Sequence, residues 1–247
     1  MVDHQHDDDD EPRDIWEIGL TIPAISFADR RVGEGFSNGI IVPTQSGKYQ
    51  GKGYEIAKKY KDEKDENGKP TGKQIVDRWP DGKPKGQTVL TLLTDLQPGD
   101  FMSSKAIDRY KTAADSGDDE LLAFIAKVKQ WGLRRAFMSG QSLDPEFKAA
   151  VRGAGTSMPQ PCAYVSVHIA KIESNQYGGR SKFYTVEYRP ADDASRAKVA
   201  AYLASGPVVE TGNRDSDDPW RDNDSGSSGG SPAMAAAASS TGEEPPF

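Results

Sequence analysis

Two stretches near residue 170 carry the clearest pattern in the chain. Over Ala163–Ile169, Ala163, Val165, Val167 and Ile169 fall on one side and Tyr164, Ser166 and His168 on the other. Over Phe183–Tyr188, Tyr184, Val186 and Tyr188 oppose Phe183, Thr185 and Glu187. A period of two is that of a half-buried strand, and β-branched and aromatic residues suit a pleated surface. Asn175, Gly178 and Gly179 supply turn chemistry between them. Together they predict a hairpin whose loop carries Tyr177, Arg180 and Lys182.

Three further strands are predicted upstream: Phe36–Val42, Gln87–Asp95 and Leu133–Ser139. In the second, Thr88, Leu90 and Leu92 face one way and Val89, Thr91 and Leu93 the other. In the third, Arg135 and Phe137 share a face opposite Ala136 and Met138. Helical periodicity predicts Ser104–Ala114 and Asp118–Trp131, the latter with a stripe of Leu121, Leu122, Phe124, Ile125 and Val128 and a stop at Gly132. Another helix is predicted from Asp144 as N-cap, with Pro145 first and Glu146 at the positive end of the dipole. Phe147, Ala150, Val151 and Ala154 form its apolar stripe. Residues 191–205 contain one more candidate helix, ASRAKVAAYLAS.

Between these elements lie two segments of a different kind. Residues 15–28 are apolar but broken by Pro23, which predicts an extended segment along the flank of the domain. Residues 43–86 are long, polar and basic, with turn dipeptides at Asn67-Gly68 and Asp81-Gly82. Lysines alternate there with Tyr49, Tyr54, Tyr60 and Trp79. The plain expectation is a solvated loop with one short helix near Tyr54–Lys61. A loop of this length inside a compact domain also suits a working role.

Five short strands with a helix between the third and fourth is the order of the OB-fold, a partly open Greek-key barrel. The expected architecture is therefore mainly β: a five-stranded OB-fold barrel over residues 15–190, with residues 97–131 as a helical insertion between strands 2 and 3. That fold binds oligonucleotides on strands 2 and 3 and on the loops joining strands 1–2 and 4–5. Here those loops are the lysine-tyrosine stretch and the loop with Tyr177 and Arg180.

Charge sharpens this picture. The formal net charge is −7, which evenly spread would oppose a polyanion ligand. Residues 1–17 hold eight acidic groups against Arg13, and residues 206–247 hold eight against Arg214 and Arg221. Removing both ends from the chain totals of 31 basic and 38 acidic leaves 28 and 22 in residues 18–205, a net of about +6. A basic middle between acidic ends suits a polyanion binder. Residues 1–14 and 206–247 are too polar to build a core and are expected to be disordered tails. Cys162, the only cysteine, precludes an internal disulfide and a multi-cysteine zinc site. No apolar run approaches membrane-span length and no signal peptide is visible, so a cytoplasmic protein without membrane contact is expected.

The segments WPDGKPKGQTVLTLLTD (79–95), RRAFMSG (134–140) and SKFYTVEY (181–188) resemble single-stranded-DNA-binding proteins of the type carried by actinobacterial phages. The terminus Glu243-Glu244-Pro245-Pro246-Phe247 is similar to the acidic Pro-Phe ending of the bacterial single-stranded-DNA-binding proteins. The resemblance implies sequence-independent binding of single-stranded DNA, a homo-oligomer in the cytoplasm of a bacterial host cell, and recruitment of replication, recombination and repair proteins through residues 243–247. Stacking and phosphate contacts would fall to Trp79, Arg78, Lys83, Lys85, Arg135, Phe137, Tyr177, Arg180 and Lys182, because aromatic rings stack on any base and cations neutralise phosphates. An RNA-binding OB-fold and a tethering adaptor that binds no DNA are the alternatives. No enzyme is expected: there is no phosphate loop and no paired histidine, and His168 beside Ser166 has no orienting acid. No cofactor or metal is expected.

Overall fold

A computed structural model describes residues 20–66, 68–140, 142–174, 180–206 and 208. The acidic tails, the tip Glu243–Phe247 and the loop residue Tyr177 lie outside the described residues. Among the described residues the backbone forms eight strands: β1 Gly35–Val42, β2 Glu55–Lys58, β3 Tyr60–Lys64, β4 Pro70–Val76, β5 Gly86–Leu93, β6 Leu133–Met138, β7 Tyr164–Ser174 and β8 Arg180–Arg189. Four α-helices accompany them within the described residues: α1 Ser104–Asp115 and α2 Asp119–Trp131 between β5 and β6, α3 Leu143–Gly153 between β6 and β7, and α4 Asp193–Ala204 after β8. No helix among the described residues is long and apolar enough to cross a membrane.

The main sheet is antiparallel throughout. β1 lies between β5 and β7, β7 pairs with β8, and β5 pairs with β6 along its length. The mainly β architecture, the helix between the third and fourth long strands and the helical insertion are all present. The long basic stretch differs from its expectation. Instead of a short helix, residues 55–58 form β2, which extends β5 on the edge that β1 leaves open (Glu55↔Val89 to Lys58↔Gly86). β3 and β4 form a separate two-stranded arm. An unpaired edge of β5 offers a ladder that local helix preference cannot match, so tertiary pairing decides the segment.

Strand β5 is buried on both faces because two cores press on it. Leu90 and Leu92 join Phe36, Ile41, Ala136, Met138, Val165 and Val167 in one core, sealed by Phe147 and Val151 of α3. Leu93 joins Ile40, Val42 and Leu133 in the other, beneath Leu121, Phe124, Ile125 and Val128 of α2 and Val199 and Tyr202 of α4. The insertion and α4 thus form a helical layer on the outside of the sheet. At the turn into β6, Gly132 has φ +56°, and a Cβ there would lie 1.9 Å from the Thr94 carbonyl oxygen. The close approach lets Thr94 Oγ1 donate to the Gly132 carbonyl at 2.6 Å and ties the insertion's two ends together. Helix α3 begins two residues earlier than expected. Ser142 precedes it without a capping bond, and its hydroxyl instead donates to the Lys182 carbonyl at 2.6 Å. Asp144 lies in the first turn and pairs with Lys148 at 3.0 Å.

Among the described residues no pairing joins β6 to β8, so strand pairing does not close a barrel. The Pro23 segment occupies that seam. Ala24 bridges Arg135 in parallel; Arg135 N–H donates to the Pro23 carbonyl at 2.9 Å, and Ile25 N–H to the Arg135 carbonyl at 2.8 Å. On the other side of the seam, the Lys182 ammonium of β8 donates to the carbonyls of Phe27 and Ala28. The Phe27 ring meets Tyr184 edge-on at 5.3 Å and Phe101 at 5.8 Å. Proline suits this strap, since the segment needs an acceptor at residue 23 and residue 23 makes no ladder donation.

Candidate nucleic-acid interface

The neighbouring arginines of β6 part company because successive side chains of a strand point to opposite faces. Arg134 turns inward and is fully covered, its Nη1 donating to the Leu133 carbonyl and its Nη2 to that of Gln97, both at 2.8 Å. Burial pulls its pKa down, and nearby Tyr110 and Asp100 oppose that. Arg135 turns outward together with Phe137, and both are half-buried. Cross-strand register puts Glu55, Val89 and Phe137 in one row across β2, β5 and β6, with Arg135 opposite Thr91 in the next outward-facing row. The helical layer covers this face at its Leu93 and Leu133 end, and Val89, in the row of Glu55 and Phe137, is also buried.

At the start of β2 stands a cluster that the site prediction did not include. Tyr49, in the short turn Gly47–Tyr49, lies 5.6 Å from Tyr54. Lys48 sits 5.6 Å over the Tyr49 ring, and Lys52 lies 5.9 Å from Tyr49 and 5.8 Å from Tyr54. The alternation of lysine and tyrosine over residues 48–54 is the signal that marks it in the sequence.

At the other end of β2, three chain segments meet at the root of the arm. Lys59 N–H donates to the Lys85 carbonyl, Lys85 N–H to that of Asp77, and Asp77 N–H to that of Lys59. The Asp77 carboxylate is gripped by Lys85 at 3.1 Å and Lys61 at 3.8 Å. Burial would raise its pKa, but the Lys85 hydrogen bond and the charges of Lys85, Lys61 and Lys59 outweigh it and hold Asp77 below its ordinary value. Beyond this root the chain makes a tight turn in which Trp79 N–H donates to the Lys83 carbonyl and Gly82 N–H to that of Trp79. Trp79 is 56% exposed, with the Lys85 ammonium 5.1 Å over its ring. Arg78 Nη1 donates to the Gly82 carbonyl at 2.8 Å, and Lys83 pairs with Asp81 at 3.5 Å.

The predicted site residues therefore fall in three places. Arg78, Trp79, Lys83 and Lys85 share the turn at the root of the arm. Arg135 and Phe137 lie about 10 Å along the sheet from it, by the rise of β5 from Gly86 to Val89. Arg180 is exposed at the start of β8, while Lys182 spends its ammonium on the strap carbonyls. His168 does not engage Ser166. Its Nε2 lies 3.0 Å from Ser37 Oγ, while Ser166 Oγ accepts from Asn38 N–H at 3.0 Å.

No protein-family model, no curated protein and no solved structure matches this chain.

Proposed function

We propose that this chain binds single-stranded DNA without sequence preference, along the open face that follows β2. The observation that carries the reading is the placement of two lysine-aromatic clusters, Lys48–Tyr54 and Lys59–Lys85 with Trp79, at the two ends of one short strand, with Phe137 level with its first residue, Glu55, and Arg135 just beyond that end. Such a strip offers the exposed Trp79 ring and the half-buried Tyr49 and Phe137 rings for stacking on any base, Tyr54 being buried in the core, and ammonium groups for phosphates. A rigid duplex hides its base faces and gains only the charge term. The pairings β1–β5, β5–β6, β1–β7 and β7–β8 support an OB-type barrel in which the strap replaces the last seam. On this reading the tip Glu243–Phe247 recruits replication and repair proteins.

Fluorescence anisotropy with labelled oligo-dT, oligo-rU and a duplex of equal length tests the proposal. The single-stranded DNA should bind most tightly, with log affinity falling against log salt at roughly −0.7 per neutralised phosphate. Equal affinity for duplex and single strand refutes it, and preference for oligo-rU moves the ligand to RNA.

A further inference from the structure

The strip that would carry an anionic polymer has an acid within it, beside Arg135. Glu55, first residue of β2, shares its row with Val89 and Phe137, and its Oε1 lies 3.8 Å from Arg135 Nη2. Both side chains are about one-third exposed, at 33% and 29%. A carboxylate here repels phosphate, so charge matching alone does not explain it. Nor does stability, because half-exposed ion pairs contribute little. The separation is also longer than the ~2.7–2.9 Å of a charge-assisted hydrogen bond, so the pair is held by charge and not by tight geometry. A guanidinium in such a pair keeps its position over the sheet yet can exchange a carboxylate for a phosphate, which presents the same oxygen geometry.

We propose that Glu55 is a positioning residue for nucleic-acid binding: its carboxylate parks Arg135 on the open face beside Phe137, and an incoming phosphate must displace it. This rests on the functional reading above. Glu55 then acts as a built-in competitor that lowers affinity and makes the contact reversible. Its effect runs through Arg135, which separates it from simple repulsion of the polymer by one more negative charge.

The test is a mutant cycle on the full-length chain, with oligo-dT binding followed by anisotropy across a salt series. E55Q keeps the size of the side chain and removes its charge, and E55T offers a second, strand-favouring replacement. Either should tighten binding about three- to tenfold at low salt and steepen the log–log salt slope by about 0.7, the increment for one newly neutralised phosphate. In an R135M background the same substitutions should give less than half of that gain on a logarithmic scale. Melting temperatures of E55Q and E55T close to that of the parent chain exclude a fold effect. Unchanged or weaker binding by both variants overturns the inference while leaving the functional reading in place. An equal gain in the R135M background also overturns it, since repulsion would then be general. A parent chain that binds no oligo-dT overturns the functional reading and this inference together.

Discussion

Replacing Phe27 by alanine should loosen the seam between β6 and β8 and disturb the proposed DNA face through it. The ring fills a half-buried site against Tyr184 at 5.3 Å, Phe101 at 5.8 Å and Phe36 at 6.5 Å. A fully buried phenylalanine costs about 3–5 kcal/mol when cut to alanine. Partial burial here brings that to roughly 2–3 kcal/mol, including the geometric preference of the aromatic pairs. For a domain of this size each kcal/mol lowers the melting temperature by about 2–4 °C, so a fall of roughly 5–10 °C is expected. Two residues upstream, the strap holds both backbone groups of Arg135 through Pro23 and Ile25. Phe27→Ala should therefore also weaken oligo-dT binding, beyond what the unfolded fraction explains. Urea unfolding and anisotropy on the same samples measure both, with Val32→Ala, at an exposed apolar position, as the control. A Phe27→Ala loss within about 0.5 kcal/mol of that control, the usual surface range, would refute the role given to the strap.

Trp79→Ala should lower oligo-dT affinity by about 1–3 kcal/mol with an unchanged melting temperature, and Trp79→Phe should recover part of it; a loss of fold without selective loss of binding would make the ring structural. Asp77 is held below its ordinary carboxylate value in the folded chain, so its stabilisation of the arm root is complete at neutral pH and disappears as pH falls below about 4. Trp79 fluorescence should report an acid transition that Asp77→Asn lacks because it already shows the loosened signal at pH 7; identical pH profiles would remove Asp77 from this role. Gly132→Ala should destabilise by at least ~1–2 kcal/mol, the cost of a left-handed alanine, plus the overlap with Thr94, and urea unfolding measures it. Deleting Glu243–Phe247 should abolish capture of replication and repair proteins while leaving oligo-dT affinity unchanged, and the same partners from both chains would reduce the tip to a solubilising end.

The sequence by itself determined the elements whose signal is local. Alternation over 163–169 and 183–188 places β7 and β8, because a strand with one covered face must repeat every two residues. Asp118 and Gly132 bracket α2, the former capping Leu121 N–H at 2.8 Å and the latter in the left-handed region, since helix ends demand those chemistries. The opposite faces of Arg135 and Ala136 follow from parity alone. Tertiary structure decided what depends on partners far along the chain. Residues 55–58 become a strand only because β5 leaves an edge beside β1. Leu93 of β5 and Leu133 of β6 are covered on the outer face only because α1, α2 and α4 fold onto it. Lys182 reads in the sequence as a loop cation, yet its ammonium closes the seam on Phe27 and Ala28, over 150 residues away. Glu55 beside Arg135 is equally invisible in a linear reading, for no periodicity reports which residues of two strands share a row. Local chemistry fixes where a strand or helix starts and which way its side chains point. Which edge it finds, and which charge it meets there, is settled only when the chain closes on itself.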